Sequence, residues 1–243
     1  EIYNYAELAG FLGIRAESDT AVLFEILRTG RHELLDRLRG MFAFVYWDAS
    51  VETFTVGRDP FGLKPLYAHV SRSGDLTFAS VPAAIATIQQ CRPDYESLLG
   101  FLAAGYFPTG RSPFEAIEKL PIGKVLTYRR EGDGWHRSER WLARQPAASR
   151  TLRDALSSSV AAHMVSDVPV GVLMSGGVDS TLIAALASRE VENLRTFSLT
   201  NPRNAELDES AFARWNAALI GSEHIEVPAS PSTLAASAMP IVE

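Results

Sequence analysis

The sequence predicts two domains of different fold class: an α+β domain with antiparallel sheets and flanking helices, followed by the start of an α/β domain with a parallel sheet. At about 150 residues per domain, a length of 243 residues suggests one or two domains. Within residues 1–142, short strands follow one another without intervening helices, which is typical of antiparallel sheets. Within residues 151–243, apolar strands alternate with helices, which indicates a parallel sheet covered on both faces. Residues 143–150, which contain Gln145-Pro146, are the expected linker.

The first domain is predicted to contain helices and short strands in mixed order. Caps at Ser18–Thr20 precede a helix over Ala21–Leu27, where apolar residues recur at helical spacing. The runs Met41–Trp47 and Glu52–Gly57 flank a turn, and the alternation in the second run predicts a hairpin with one buried face. Three further strands and then an exposed stretch are expected in chain order: Leu66–Val70, Leu76–Ala79, Lys124–Arg130 and Glu131–Glu139.

The second domain is predicted to alternate helices with two parallel strands. Thr151 can cap a helix, and one side of that helix carries four apolar residues: Leu152, Leu156, Val160 and Met164. The expected strands and helices that follow are Val170–Met174, Thr181–Ala187, Leu194–Leu199 and Glu209–Leu219. Because two parallel strands cannot bury the face of such a sheet, the domain is expected to be truncated at Glu243.

Composition excludes several classes of protein. Hydrophobic residues make up 47% and charged residues 21%, so wholesale disorder is not expected. The apolar runs are far shorter than the ~20 residues that span a bilayer, so no membrane partner is expected. One cysteine excludes an internal disulfide framework and a cysteine-based zinc site. A net charge of −6 with scattered Lys and Arg disfavours nucleic acid as a partner and leaves a cytoplasmic α/β protein as the expectation.

The segment Ser175-Gly176-Gly177-Val178-Asp179-Ser180 carries the strongest chemical signal. It follows an apolar strand and opens a helix, so backbone N–H groups and the positive end of the helix would face a bound anion. This arrangement suits phosphate or pyrophosphate, although it lacks the spacing and the lysine of a Walker loop. Asp179 is explained if it holds Mg²⁺ together with phosphate oxygens. The alternative is a plain turn between strand and helix, with Asp179 favourable to the helix dipole.

The same segment resembles the pyrophosphate loop of N-type ATP pyrophosphatases, which cleave ATP between the α and β phosphates. The first half resembles the glutaminase domain of class II amidotransferases, through motifs that include Glu1–Tyr5, Gly40–Phe44 and Arg58–Tyr67. Both halves in this order resemble the glutamine-dependent asparagine synthetase family. The resemblance covers nearly the whole chain and implies a fragment that lacks both ends of such a protein.

For the first half, the resemblance implies a glutamine site whose cysteine nucleophile is absent from this chain. Glu1 matches the glutamate of the family's Asn-Gly-Glu motif, so the N-terminal cysteine, Asn and Gly would precede it. Asp19 matches the aspartate that pairs with the α-ammonium of glutamine; the alternative is a helix N-cap. Cys91 is internal and is expected to be a half-buried hydrophobe. Arg58, Asp59 and Lys64 are either functional or paired with one another to fix their loop.

For the second half, the resemblance implies an ATP and pyrophosphate site with Mg²⁺ at Asp179. Two leucines, Leu173 and Leu199, match positions whose backbone contacts the adenine side of ATP, although both could be core strand residues. The phosphate-binding residues would be Ser175, Gly176, Gly177, Asp179 and Ser180. Leu207-Asp208-Glu209 resembles the family's acidic pair, or it is a simple charge bias at a helix start. His224 is assigned no chemistry.

The implied reaction is the synthesis of asparagine from aspartate, glutamine and ATP, through an aspartyl-adenylate and channelled ammonia. This makes glutamine, aspartate and ATP the expected small-molecule partners. Members of the family often form dimers, so the resemblance also allows a homodimer. The alternatives are a related ligase or amidotransferase with another acceptor, such as a β-lactam, a cyclised peptide or a cell-surface product, or a non-catalytic nucleotide-binding homologue. The 243-residue chain alone is expected to lack glutaminase activity.

Overall fold

The computed structural model describes residues 1–108, 110–143, 151–166, 168–200 and 208–229. The chain divides into two compact units, Glu1–Pro146 and Ala147–Glu243. The expected linker, apart from its first residue, lies outside the described residues, as does Leu207. None of the helices in the described ranges is long and apolar enough to cross a membrane.

The first unit combines short helices with two antiparallel sheets, as predicted for an α+β domain. Its helices are α1 (Tyr5–Leu12), α2 (Asp19–Arg28), α3 (Pro82–Gln89) and α4 (Tyr95–Ala104), with a 3₁₀ helix at His32–Arg37. Its strands are β1 (Ala43–Asp48), β2 (Thr53–Arg58), β3 (Tyr67–Val70), β4 (Leu76–Ala79), β5 (Ile117–Lys119), β6 (Lys124–Glu131) and β7 (Gly134–Trp141). One sheet has the order β1-β2-β6-β7 and the other β4-β3-β5.

The central strands of the four-stranded sheet pack against a core cluster on each face, which corrects the prediction of a hairpin with one buried face. Adjacent residues of β6 point to opposite faces, and Val125 and Leu126 accordingly belong to different core clusters. The Val125 cluster includes Leu8 of α1 and Ile26 of α2. The Leu126 cluster includes Ala68 of the second sheet. The central strand β2 is therefore buried along nearly its whole length, polar threonines included.

The stretch Glu131–Glu139 is mostly exposed, as expected, but the prediction that the last strand ends before it is wrong, because most of the stretch forms β7. The strand is polar because it lies at the edge of its sheet. Its charged side chains pair with neighbouring strands: Arg137 donates to Glu118 at 2.6 Å, and Glu139 accepts from Lys124. Such pairs join residues distant in sequence, so the local pattern does not reveal the strand.

The second unit has the predicted α/β order with a parallel sheet. Its elements are α5 (Leu152–His163), β8 (Gly171–Leu173), α6 (Val178–Ala187), β9 (Arg195–Thr200), α7 (Ser210–Ile220) and β10 (Glu223–Pro228). The strand order is β10-β9-β8, so the described sheet has three parallel strands rather than the two expected. A small core joins Met174, Ala184 of α6 and Ala217 of α7.

Helix α5 begins as predicted, and its apolar side is only partly buried by the described residues. Thr151 and Asp154 form a reciprocal capping box at its start. No residue of α5 is fully buried, and Leu152 is 77% exposed. The other three apolar residues of that side, Leu156, Val160 and Met164, are half-buried.

Candidate functional site

The loop between β8 and α6 is held in a tight turn by its two serines. Ser180 Oγ lies 3.1 Å from Ser175 Oγ and accepts a hydrogen bond from the Ser175 N–H at 3.2 Å. Ser175 Oγ also accepts from the Gly177 N–H at 3.3 Å. Both serines therefore anchor the loop to itself; Ser175 is exposed and Ser180 is half-buried.

Gly176 brings this loop against helix α7. Its φ of +89° lies in the left-handed region, which favours glycine. A Cβ at this position would lie 2.8 Å from the Ala213 nitrogen and 2.8 Å from the Phe212 Cβ. The Gly176 carbonyl accepts a hydrogen bond at 3.1 Å from the side-chain amide of Asn216, also on α7. The first glycine is therefore required both for the backbone conformation and for the close approach of α7.

The start of α6 offers donors that its own residues do not satisfy. Gly177 is the N-cap residue and has no side chain to cap the helix, so the first-turn N–H groups face outward. Asp179 is in that first turn and is exposed. Its carboxylate forms no hydrogen bond or ion pair with the residues that the structure describes. The loop thus presents positive backbone dipoles beside one available carboxylate.

A cleft of about 390 Å³ lies at the carboxyl ends of β8 and β9, beside this loop. It is lined by four of the predicted residues, Leu173, Ser175, Ser180 and Leu199. Leu173 and Leu199 are 81% and 69% exposed, so neither belongs to a core formed by the described residues. Gly176 and Gly177 of the adjoining loop and Asp179 of the first turn of α6 do not line the cleft. In open parallel sheets, ligands bind in the crevice at this edge.

Further residues of this region carried weaker signals in the sequence. Glu209, the second residue of the predicted acidic pair, lines the cleft, whereas Asp208 accepts a hydrogen bond from the Ser210 N–H at 2.9 Å. Ser198 also lines the cleft and bonds to His224 Nε2 at 3.1 Å. The other ring nitrogen of His224 lies 2.9 Å from Thr196 Oγ1, so both nitrogens have structural partners.

The first unit has a second cleft of about 300 Å³, which is lined by both predicted glutamine-site residues, Glu1 and Asp19, and by Lys64. Asp19 Oδ2 accepts a hydrogen bond from the Ile2 N–H at 3.0 Å. The helix N-cap is Ser18, whose side chain accepts from the Ala21 N–H, so the alternative role of Asp19 as N-cap is wrong. A cleft lined by both acidic and basic residues suits a zwitterionic amino acid.

Gly40 keeps Glu1 beside this cleft. The Met41 N–H donates to the Glu1 carbonyl at 3.0 Å, and Ile2 forms an isolated β-bridge with Gly40. A Cβ on Gly40 would overlap the Glu1 carbonyl oxygen. The glycine of the Gly40–Phe44 motif therefore permits the contact that positions Glu1. Nearby, burial and then the charge of Glu1 raise the pKa of Tyr3.

Arg58 and Asp59 fix their loop through backbone groups rather than by pairing with one another, which corrects that alternative. The buried Arg58 guanidinium donates to the carbonyls of Lys64, Leu120 and Gly62 at 2.7–3.0 Å. Asp59, fully buried, accepts from three backbone N–H groups of the following turn. Burial lowers the pKa of Arg58. Only Lys64 of the three predicted residues lines the cleft.

Cys91 is half-buried, as expected, and packs against the small core cluster of Ile85, Ala86 and Ile117. Burial raises the pKa of its thiol. A thiol with a raised pKa is a poor nucleophile because less of it is thiolate. Within the described ranges, His, Cys, Asp and Glu form no cluster of three or more that could hold a metal ion.

Comparison with known proteins assigns each unit to a family. Residues 1–141 match the family model described as a glutamine amidotransferase domain, and residues 151–243 match the one described as asparagine synthase. Asparagine synthetase [glutamine-hydrolyzing] 1 of Bacillus subtilis (strain 168) is 33% identical over 95% of this chain and 38% of its own length.

Two further relatives come from other organisms. Asparagine synthetase B [glutamine-hydrolyzing] of Escherichia coli (strain K12) is 33% identical over 79% of this chain and 33% of its own. Asparagine synthetase [glutamine-hydrolyzing] 2 of Arabidopsis thaliana is 31% identical over 79% of this chain and 30% of its own. The chain thus spans between three and four tenths of the length of these relatives. It belongs to the glutamine-dependent asparagine synthetase family, with a glutamine amidotransferase domain followed by part of an asparagine synthase domain.

Proposed function

We propose that the protein makes asparagine from aspartate, using glutamine as the nitrogen source and ATP to activate the aspartate carboxylate. The observation that carries this proposal is the Ser175–Ser180 loop, which offers unsatisfied backbone donors beside a cleft at the carboxyl ends of two parallel strands. The names of the relatives support aspartate as the acceptor.

In the second unit, the cleft beside Leu173 and Leu199 would take the adenosine part of ATP. Ser175, Gly176, Gly177 and Ser180 would surround the β and γ phosphates, because donors placed where charge develops stabilise the leaving pyrophosphate. The aspartate carboxylate would attack the α phosphorus and release pyrophosphate. Ammonia would then displace AMP from the aspartyl-adenylate.

The loop also suits Mg²⁺ as the companion of ATP. Mg²⁺ is usually bound by one or two carboxylates together with substrate phosphates, and Asp179 is an available carboxylate at the edge of the phosphate site. We propose that Asp179 would hold the ion against the phosphate oxygens. The bound ion would supply charge neutralisation for the leaving pyrophosphate.

In the first unit, we propose that Asp19 pairs with the α-ammonium of glutamine and that Glu1 contributes to the same pocket. Their shared cleft also contains Lys64, so both charges of a zwitterion find an opposite charge nearby. Cys91 takes no part in glutamine binding, because it packs against the core cluster of Ile85, Ala86 and Ile117, away from this cleft. Ammonia released from glutamine would pass directly to the adenylate. This direct transfer would keep the ammonia from being protonated in water.

The test is product analysis with the full-length protein, Mg²⁺, ATP, glutamine and aspartate. The proposal expects AMP, pyrophosphate and asparagine in equal amounts. AMP formation only with another carboxylate would assign a different acceptor and overturn asparagine synthesis. ADP with phosphate, or no ATP cleavage at all, would contradict the role given to the loop.

A further inference from the structure

Asn216 joins the loop, α6 and α7 through one side-chain amide. Its Nδ2 donates to the Gly176 carbonyl at 3.1 Å and to Thr181 Oγ1 at 3.0 Å. Both amide hydrogens are therefore used. Asn216 lies on the inner side of α7, next to the buried Ala217 and one turn after the buried Ala213. A half-buried polar side chain on this buried side of the helix requires a polar partner, and the loop provides it.

The bond to Gly176 determines which way the peptide unit between Gly176 and Gly177 faces. This peptide is trans, so its carbonyl and its N–H point in opposite directions. Because the carbonyl is bound by α7, the Gly177 N–H is turned away from α7. Its acceptor is Ser175 Oγ at 3.3 Å, longer than the usual 2.9–3.0 Å, so a phosphate oxygen could compete for this donor.

We infer that Asn216 is a positioning residue that keeps the Gly176–Gly177 peptide turned with its N–H toward the pyrophosphate group. The inference rests on the proposed function of the loop. If the peptide turned over, its carbonyl oxygen would enter the anion site and repel the phosphates. Left-handed glycine makes such a flip accessible, so the orientation needs a fixed partner.

Three variants separate this role from a general role in stability. Asn216→Leu removes both donors at similar volume. Thr181→Val removes only the second acceptor and leaves the bond to Gly176. Arg214 is on the same helix as Asn216, and Arg214→Leu, which removes an exposed ion pair with Glu226 of β10, serves as the control. The measurements are the Kd for pyrophosphate with Mg²⁺ by calorimetry, and KM for ATP and kcat, all with the full-length protein.

We expect Asn216→Leu to weaken pyrophosphate binding by roughly 10- to 100-fold. This is the range for losing one hydrogen bond to a charged group, here the bond from the Gly177 N–H to a phosphate oxygen. Thr181→Val should change this binding by less than about threefold, and Arg214→Leu should leave it unchanged. Equal Kd values for Asn216→Leu and the parent would overturn the role of Asn216 and leave the proposed function of the loop standing. A parent protein that binds no pyrophosphate would instead overturn the proposed function.

A measurement without substitutions covers the case in which Asn216→Leu does not fold. With ¹⁵N-glycine labelling of the unmodified protein, the Gly177 amide proton should move downfield when pyrophosphate and Mg²⁺ are added. Pyrophosphate binding that shifts other glycine signals but leaves Gly177 unchanged would contradict the inference.

Discussion

Replacing Gly176 by alanine tests whether the loop needs its tight contact with α7. A non-glycine residue in the left-handed region costs about 1–2 kcal/mol. The new Cβ would also lie 2.8 Å from the Ala213 backbone nitrogen, closer than packed atoms approach. Overpacking of this kind costs about 1–3 kcal/mol. Gly176→Ala should therefore destabilise the second unit by about 2–5 kcal/mol, a large share of ordinary domain stability.

Gly177→Ala is the matched control, because Gly177 has a φ of −70° and an added Cβ would meet only Ser175 Oγ at 3.5 Å. Its effect on stability should stay within about 1 kcal/mol. Hydrogen exchange by mass spectrometry with increasing urea reports the two units separately, so peptides from α6 and α7 give the stability of the second unit. Equal protection of α6 and α7 in Gly176→Ala and the parent would refute the packing argument.

Three predictions concern the first unit. Asp19→Asn should raise KM for glutamine by roughly 10- to 100-fold and leave synthesis with added ammonia unchanged, which steady-state kinetics with each nitrogen source will check. Arg58→Met should lower the free energy of unfolding of the first unit by about 3 kcal/mol or more, because three carbonyls lose their donor. Arg129→Met, at an exposed position, should lower it little, and a urea titration of both variants will check this. Burial raises the pKa of Tyr128 from 10.0 to about 12, so absorbance at 295 nm should show Tyr128 protonated at pH 11. Because the pKa is higher in the folded state, the stability that Tyr128 contributes should be complete below pH 10 and lost as pH rises toward 12.

The order and type of many elements could be predicted from local pattern. Leu76–Ala79 is a strand with the predicted bounds. After residue 151, strands alternate with helices as predicted, and the strands form a parallel sheet. Periodicity succeeds there because each segment buries one face or both in a regular way. It failed for β7, whose polar side chains are stabilised by ion pairs with β5 and β6. It also missed α4, which has a glycine in its middle and a 78% exposed Leu102.

The candidate site could be predicted where the backbone itself carries the signal. The Ser-Gly-Gly turn after an apolar strand indicated the loop, and the structure gives Gly176 the left-handed φ that such a turn requires. Asn216 was missed, because it lies 40 residues from its partner Gly176 and its pairing depends on how α7 packs. The large apolar residues of α7, Phe212, Trp215 and Leu219, are exposed, so the apolar pattern of this helix does not mark the side on which Asn216 lies.

The most direct test of the account is a crystal structure of the full-length protein with Mg²⁺ and a non-hydrolysable ATP analogue. We expect oxygens of the β and γ phosphates within hydrogen-bonding distance of the Gly177 N–H and the Ser175 and Ser180 hydroxyls. The adenine should lie beside Leu173 and Leu199. A nucleotide bound elsewhere, or one whose phosphates do not contact this loop, would contradict the central claim that Ser175–Ser180 receives the pyrophosphate of ATP.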